Sequence, residues 1–252
     1  MENVLVFLSR LATLFPTKQD IDSVVSHDRE GFPTNMKEQE FLSMYKMGKL
    51  LGKGKYASVH LCTYNPTKEK RAMKIFSKRG QGGTKDKIYK IIKEAIYTRR
   101  AAHAHVTKVF DLIETKERLL IIFEVVEGGE LYKEVLRRKH FSEVTYHVQS
   151  LRPDLICEWK ETANKVVVQM ADALCHMHAN HLIHCDLKPE NVLCTSNPET
   201  GKDWDIKITD FGLSKPIIED DDHSDLTFCG SPLYMAPEML FKQVCEYIYN
   251  TV

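Results

Sequence analysis

The sequence predicts an α+β fold of two lobes, in which a β-rich first lobe with one main helix precedes a mainly helical second lobe. Short strand-like runs dominate residues 45 to 124, one helical pattern interrupts them at about 86 to 101, and helical patterns prevail after residue 130. A chain of 252 residues with 43% hydrophobic residues is long enough to bury the core of one large domain or of two lobes.

The elements follow from the pattern in chain order. The predicted strands of the first lobe are the apolar or alternating runs Lys49–Leu51, Ser58–Leu61, Arg71–Phe76 and Leu119–Phe123. In the second lobe we expect a helix at Ala163–Asn180. The preceding segment, residues 144–160, contains Pro153 and shows no clear period, so it is predicted to be an inserted surface loop.

The first 43 residues are predicted to be an extension outside the two lobes. Apolar residues at 4, 7, 8, 11 and 15 fit one face of a helix, so residues 1–15 could dock on a regulatory partner, a membrane surface or the chain itself, although a frayed or self-docked end is the simpler interpretation. This run lacks a basic start and is too short to cross a bilayer, so we expect neither a signal peptide nor a transmembrane segment. Residues 16–43 are polar and read as a linker.

Composition limits the partners. Thirty-five basic and thirty-five acidic residues give no net charge, which argues against binding nucleic acid through the charge of the whole molecule. The seven cysteines are scattered and form no Cys-x-x-Cys pair, which favours a reducing, intracellular location, cytoplasmic or nuclear. Cys194 and Cys229 are expected to be small packing residues.

A glycine-rich run is the first motif that carries chemistry. Gly52, Lys53 and Gly54 come where a hairpin backbone could lie close to phosphate oxygens, because glycine places no Cβ in the way. Such a run alone is more often an ordinary turn. Strand alternation then places Ala72 and Lys74 on one face, which puts a small apolar surface next to an ammonium group.

A lysine among apolar residues needs a counter-charge. Glu94, on the predicted helix at 86–101, is the candidate. Thr98, one turn later, stands where a large apolar contact to the second lobe is expected, which predicts a helix that is less firmly held.

The run from His184 to Leu193 and the later Asp210-Phe211-Gly212 are the most informative parts of the sequence. They place an acid (Asp186), an amine (Lys188) and an amide (Asn191) at fixed spacing, followed by a second carboxylate next to a glycine. These are the groups that transfer of a phosphoryl group from a magnesium nucleotide requires.

Together these motifs, in this order, make residues 45 to 242 resemble a eukaryotic serine/threonine protein kinase. The runs Glu127–Tyr132 and Cys229–Glu238 are most similar to those of the calcium/calmodulin-dependent kinase group. The resemblance implies a bilobal protein kinase-like fold, protein or peptide substrates, and ATP and Mg²⁺ as cofactors.

The resemblance also implies roles for individual residues. Backbone groups of Glu124 and Val126 would contact adenine. Asp186 would accept or orient the substrate hydroxyl, and Lys188 would steady the transferred phosphate. The residues assigned to nucleotide binding are Gly52, Lys53, Gly54, Val59, Ala72, Lys74, Glu124, Val126, Glu130 and Leu193. Those assigned to catalysis are Asp186, Lys188, Lys74 and Glu94, and those assigned to the metal are Asn191 and Asp210.

Substrate preference can be taken one step further. Lys188 and Ser231 are similar to those of kinases that phosphorylate serine or threonine. Glu127, Glu130 and Glu190 form an acidic rim that suggests basic residues near the target hydroxyl. The same glutamates could instead serve ribose binding or solubility.

Cys185 stands where the family usually has an arginine. That arginine would pair with a phosphate on the activation segment, and a thiol cannot do so. We therefore expect a non-RD kinase, which lacks this arginine. In such a kinase, phosphorylation of Thr227 is not expected to control activity. The histidines and cysteines between Cys175 and Cys185 are not expected to bind metal, since His176 and His178 point to different sides of a helix.

The resemblance divides the chain into an extension at 1–43, a first lobe at 44–124, a partial second lobe at 125–242 with the insertion at 144–160, and a tail at 243–252 outside the family pattern. The chain ends fourteen residues after Glu238, before the remaining helices of the family's second lobe. We therefore expect an incomplete, truncated second lobe. Two alternatives stay open: an active kinase, or a catalytically inactive fragment that binds nucleotide or a partner.

Overall fold

The computed structural model describes residues 37–54, 57–78, 85–138, 153–195, 205–216 and 229–240. The first lobe is one antiparallel sheet of five strands in the order β1-β2-β3-β5-β4, with one long helix. Its elements are α1 (Glu38–Met44), β1 (Tyr45–Lys53), β2 (Ala57–Tyr64), β3 (Lys70–Ser77), α2 (Lys85–Arg100), β4 (Val109–Glu114) and β5 (Arg118–Glu124).

The second lobe is mainly helical and has two short two-stranded sheets, β6-β9 and β7-β8. Its elements are α3 (Leu131–Arg138), α4 (Pro153–Ala179), β6 (Leu182–Ile183), β7 (Val192–Cys194), β8 (Ile206–Ile208), β9 (Lys215–Pro216) and α5 (Pro237–Leu240), with single 3₁₀ turns at Pro189–Asn191, Phe211–Leu213 and Pro232–Tyr234. The β-rich first lobe and mainly helical second lobe confirm the predicted fold class.

The strand β5 lies between β3 and β4 and is buried on both faces. Leu119, Ile121 and Phe123 face the core that contains α2, whereas Leu120 and Ile122 face a second core on the other side of the sheet. Alternating side chains on a strand point to opposite faces, so one continuous apolar run serves both cores. The strand next to it, β4, was not among the predicted strands.

The helix α1 covers the second of these cores. Phe41 and Tyr45 are almost completely buried and their rings stack with centroids 5.8 Å apart. The Tyr45 hydroxyl donates to Asp111, and the Arg71 guanidinium lies 4.0 Å from the ring centroid of Phe110. The predicted linker at 16–43 is therefore wrong over residues 38–43, because Phe41 in this polar stretch gains more by packing on the sheet than by staying in solvent.

The helix α4 begins ten residues before the predicted start. Its first residue is Pro153, so residues 153–160 of the predicted inserted loop are helical. Proline is compatible with the first turn of a helix, because the N–H that it lacks has no partner there and its φ already suits the helix. Residues 144–152 lie outside the described part of the chain.

The two lobes meet along β8 and the segment between α2 and β4. The Thr107 amide donates to the Ile208 carbonyl at 2.9 Å, and the Ile208 amide donates to the His105 carbonyl at 2.8 Å. One apolar core continues through this junction from α2 to α4. These hydrogen bonds hold the end of β8, two residues before Asp210, against the first lobe.

Several predictions from the sequence fall on residues that the structure does not describe. They concern the helix at 1–15, Thr227 and the tail at 243–252. Among the helices that it does describe, none is long and apolar enough to span a membrane.

Candidate active site

The loop between β6 and β7 holds Asp186 in a network of hydrogen bonds. The Lys188 ammonium donates to Asp186 Oδ2 at 2.7 Å, and the Asn191 amide donates to the same oxygen at 3.1 Å. The Ser231 hydroxyl donates to Asp186 Oδ1 at 2.8 Å and accepts from Lys188 at 2.7 Å. The acid, amine and amide that the sequence places at fixed spacing therefore converge on one carboxylate.

This network keeps Asp186 ionised. Partial burial opposes its charge, but the hydrogen bonds from Lys188, Ser231 and Asn191 outweigh burial and hold the pKa of Asp186 below its ordinary value. A carboxylate with this pKa is an acceptor near neutral pH, so it can accept a hydrogen bond from a substrate hydroxyl.

His184 supports the start of the same loop. Its ring is buried, its Nε2 contacts the Thr209 carbonyl at 3.1 Å, and its Nδ1 accepts from the Asp186 amide at 3.3 Å. Burial lowers the pKa of His184, and a neutral ring with the proton on Nε2 satisfies both contacts. The ring also lies edge-on to Phe211, with centroids 4.9 Å apart.

Lys74 on β3 connects the first lobe to the second. Its ammonium lies 2.5 Å from Glu94 on α2 and 3.4 Å from Asp210, which precedes the 3₁₀ turn at Phe211. Burial alone would lower the pKa of Lys74, but the two carboxylates outweigh burial and raise it. The lysine is therefore charged, and its position is fixed by one carboxylate from each lobe.

Asp210, Phe211 and Gly212 are placed by backbone conformation and packing. Asp210 has φ of +65°, in the left-handed region, and Phe211 is buried against α2. A Cβ on Gly212 would lie 3.3 Å from Asp210 Oδ1 and 3.7 Å from Glu94 Oε2. The glycine thus leaves room for the two carboxylates to approach Lys74.

Thr98 on α2 is buried, as a contact with the second lobe would require, but it uses its hydroxyl locally. Its Oγ1 donates to the Glu94 carbonyl oxygen one turn earlier at 2.6 Å. The polar group is thereby satisfied within the helix that carries Glu94.

Strand pairing fixes the positions of several residues that are predicted to contact the nucleotide base and ribose. Val59 on β2 is paired with Lys74, and Ala72 is paired with Phe123 at the end of β5. Glu130 forms a bridge with Leu193 on β7. The pairings fix Val59 and Ala72 within the sheet of the first lobe, and Glu130 next to Leu193 in the second lobe.

The segment from Glu124 to Val126 connects the lobes. The backbone N–H of Glu124 donates to the Lys108 carbonyl at 2.9 Å, so this N–H is not available to a ligand. The Glu124 side chain binds the Lys207 ammonium at 2.9 Å, which ties this segment to β8. Sequence reasoning assigned Glu124 only a backbone role, because the contact with Lys207 spans more than eighty residues.

In the glycine-rich hairpin, the Gly54 amide donates to the Ala57 carbonyl at 2.8 Å, which closes the turn. Gly52 and Lys53 are exposed, and a Cβ on Gly52 would meet no described atom within 4 Å. The glycine at position 52 is therefore not required by packing within the described chain, which is consistent with a role toward a ligand.

The donor set suits a magnesium ion that also binds nucleotide phosphates. The amide nitrogen of Asn191 is directed to Asp186, which leaves its oxygen as the possible ligand, and half of the Asp210 side chain is exposed. Mg²⁺ prefers oxygen ligands and often uses one or two protein groups together with phosphates and water. Within the described residues, no group of three or more His, Cys, Asp or Glu side chains could hold a metal ion by itself.

Ser231, which in the sequence indicates only the substrate class, is part of this network. Ser231 lies in the activation segment, the part of the chain from Asp210 to Glu238, and its hydroxyl contacts both Asp186 and Lys188. The separation of more than forty residues left no local signal for these contacts.

A two-lobed domain with an acidic loop, a paired lysine and a glycine-rich hairpin at the junction has the architecture of a protein kinase. The family model for the protein kinase domain matches residues 45–250. The chain therefore belongs to the protein kinase family, and its relatives make it a serine/threonine kinase by family.

Three curated relatives illustrate the similarity. Human serine/threonine-protein kinase DCLK3 is 31% identical over 79% of this chain and 27% of its own length. A probable myosin light chain kinase of Dictyostelium discoideum is 34% identical over 80% of this chain and 57% of its own length. CBL-interacting serine/threonine-protein kinase 12 of Arabidopsis thaliana is 34% identical over 80% of this chain and 36% of its own length. The chain thus spans less than two thirds of each of these relatives.

Proposed function

We propose that this chain transfers the γ-phosphoryl group of ATP to serine or threonine hydroxyls of protein substrates. The observation that supports it best is the network in which Asp186 contacts Lys188, Asn191 and Ser231. The ionised carboxylate of Asp186 provides a hydrogen-bond acceptor for the substrate hydroxyl. The ammonium of Lys188, held beside it together with the Ser231 hydroxyl, provides a positive charge near the phosphorus that the substrate hydroxyl would attack.

In this proposal Asp186 orients the substrate hydroxyl and accepts its proton as the hydroxyl oxygen attacks the γ-phosphorus. The bond from that phosphorus to the β,γ-bridging oxygen breaks, and ADP leaves. Lys188 offsets negative charge on the transferred group, and Lys74 positions the phosphates from the opposite side. The protein contributes mainly position and electrostatics, since the transition state requires no covalent bond to it.

Asn191 and Asp210 would hold Mg²⁺. When bound, the ion neutralises phosphate charge. Asp210 is half exposed and also contacts Lys74, so its carboxylate can serve the cation without leaving the lysine that faces the phosphates.

Of the three glutamates on the predicted acidic rim, Glu190 is the best candidate for contacting a basic substrate residue. Its Oε2 is buried and has no hydrogen-bond partner among the described residues, although the Glu190 side chain also forms a hydrogen bond with Tyr234. By contrast, Glu127 already pairs with Lys70 at 3.2 Å, and Glu130 pairs with Lys133 at 2.7 Å. A buried carboxylate oxygen without a donor is costly, and a guanidinium group of a bound peptide would satisfy it.

Phosphate transfer to two serine peptides tests the proposal. The peptides differ only in arginine or alanine N-terminal to the serine. We expect transfer that depends on Mg²⁺ and is faster with the arginine peptide. Asp186→Asn should reduce the rate of transfer to either peptide by about 10³-fold or more. Glu190→Gln should reduce the rate with the arginine peptide alone. Thermal stabilisation by Mg·ATP without transfer would instead support an inactive nucleotide-binding chain.

A further inference from the structure

The loop between β6 and β7 that holds Asp186, here called the catalytic loop, lies beside residues 229–231 of the activation segment, and each of the two carries a cysteine at the contact. Cys185 precedes Asp186, and Cys229 lies two residues before Ser231. The Cys229 thiol is close enough to the Cys185 thiol to raise its pKa, and Gly230, next to Cys229, lies against the Cys185 backbone carbonyl. Both side chains are partly exposed, so a small oxidant can reach them.

The backbones are also close at this point. A Cβ on Gly230 would lie only 2.5 Å from the Cys185 carbonyl oxygen, a contact that only glycine permits. Gly230 has φ of +111° and Cys185 has φ of +65°. Together with the bonds from Ser231 to Asp186 and Lys188, this approach fixes the register of the two segments over residues 185–188 and 229–231.

We propose that Cys185 and Cys229 form a reversible disulfide that ties the activation segment to the catalytic loop. Peroxide is the oxidant: one hydrogen peroxide accepts two electrons and the two thiol protons, the sulfur–sulfur bond forms, and two water molecules are released. A thiol reductant reverses the reaction. The bond places a covalent tether where the missing arginine would otherwise supply an ionic contact to a phosphate.

The chemistry of Cys185 predicts when the tether forms. Burial and the neighbouring Cys229 thiol raise the pKa of the Cys185 thiol to about 12, while the Lys215 side chain and backbone oppose this shift. Because the thiolate is the reactive form, the disulfide should form slowly at neutral pH and faster as the pH rises from 7 to 9.

The test uses the full chain and needs no kinase activity. Reduced protein is treated with hydrogen peroxide, remaining thiols are alkylated, and the peptides are identified by mass spectrometry without reduction. The same treatment in 6 M guanidinium provides the reference, since seven cysteines in an unfolded chain can form about 20 different pairs.

We expect the disulfide between Cys185 and Cys229 to be at least about tenfold more abundant in the native sample than in guanidinium, and to disappear on reduction. Cys185→Ser and Cys229→Ser should each abolish it, whereas Cys175→Ser, at an exposed position on α4, should not. Equal yields in the two conditions, or irreversible oxidation of either thiol without a disulfide, would overturn the proposal. An unfolded chain gives equal yields, so that outcome also counts against it.

Discussion

The ammonium group of Lys74 lies 2.5 Å from the carboxylate of Glu94, and this ion pair joins the sheet of the first lobe to its one long helix. The Glu94 side chain is only 6% exposed. A buried charge of this kind is stable only while its partner remains, so the pair couples the position of α2 to the position of Lys74.

Glu94→Gln tests this coupling with little change in shape. We expect phosphate transfer to fall about 10- to 100-fold while nucleotide affinity changes less, because Lys74 remains but is no longer held in place. The ion pair between Lys78 and Glu114, at 2.6 Å, lies just beyond the last residue of β3 and provides the control. Glu114→Gln should leave transfer within about twofold of the wild type, and an equal loss in both variants would show that Glu94 acts only through general stability.

Ser231 is expected to act through its hydroxyl. Ser231→Ala removes two hydrogen bonds to charged groups, Asp186 and Lys188, each worth about 1.5–3 kcal/mol when the partner is charged. We predict that kcat falls about 10- to 100-fold, and that Ser231→Thr, which keeps the hydroxyl, restores most of it. Steady-state kinetics with one peptide decide the point, and similar rates for alanine and threonine variants would exclude this role.

The stability of the chain should depend on pH through His184. Burial lowers the pKa of His184 from its ordinary value of 6.5, although Asp186 and Asp210 nearby favour its charged form. Below pH 6.5 the unfolded chain therefore binds a proton that the folded chain resists. The contribution of the neutral ring is complete above pH 6.5 and is lost as the pH falls toward the lower folded value, with a slope of at most about 1.4 kcal/mol per pH unit.

Urea unfolding from pH 7.5 to 5.5 measures this dependence. Burial also lowers the pKa of His103 and His178, so His103→Gln and His178→Gln are needed to separate their shares. Burial also raises the pKa of Glu94, which gives a slope of opposite sign, so Glu94→Gln is added and the slope that remains in this triple variant is assigned to His184. A free energy of unfolding that stays constant across this range in the triple variant would contradict the assignment.

The helix α1 gives a test of the boundary of the first lobe. Phe41 is 1% exposed and its neighbour Leu42 is 54% exposed. Phe41→Ala should lower the free energy of unfolding by about 3–5 kcal/mol, as for other buried aromatic residues. Leu42→Ala, on the same helix, should cost less than about 1 kcal/mol. Equal small effects in denaturant unfolding would mean that α1 is not part of the cooperative unit.

The sequence predicted best where function depends on spacing along the chain. The run from His184 to Asn191 could be recognised because each residue type at its spacing has a role in phosphoryl transfer. The pair of Lys74 with Glu94 could be predicted because a lysine among apolar residues needs a counter-charge. The ion pair lies where the charge argument expected it.

Contacts between distant segments could not be predicted in this way. Cys229 was expected to be a packing residue, and its thiol is close enough to Cys185, more than forty residues earlier in the chain, to raise the pKa of that thiol. The early start of α4 has a different reason. In a stretch without a clear period Pro153 favours a loop, whereas at the first position of a helix it is favourable.

Gly230 offers the sharpest test of the close approach between the activation segment and the catalytic loop. Gly230 and Gly129 both have positive φ, of +111° and +78°, so alanine is strained at either position by about 1–2 kcal/mol. At position 230 the added Cβ would also overlap a neighbour, because it would lie 2.5 Å from the Cys185 carbonyl oxygen. At position 129 it would meet no described atom within 4 Å.

Backbone atoms cannot move aside as a flexible side chain can, so Gly230→Ala should cost about 1–3 kcal/mol more than Gly129→Ala and displace Ser231 from Asp186. We therefore expect a lower melting temperature and a larger loss of kcat for Gly230→Ala than for Gly129→Ala, measured side by side, and equal effects of the two substitutions would mean that the segments are not held together in solution.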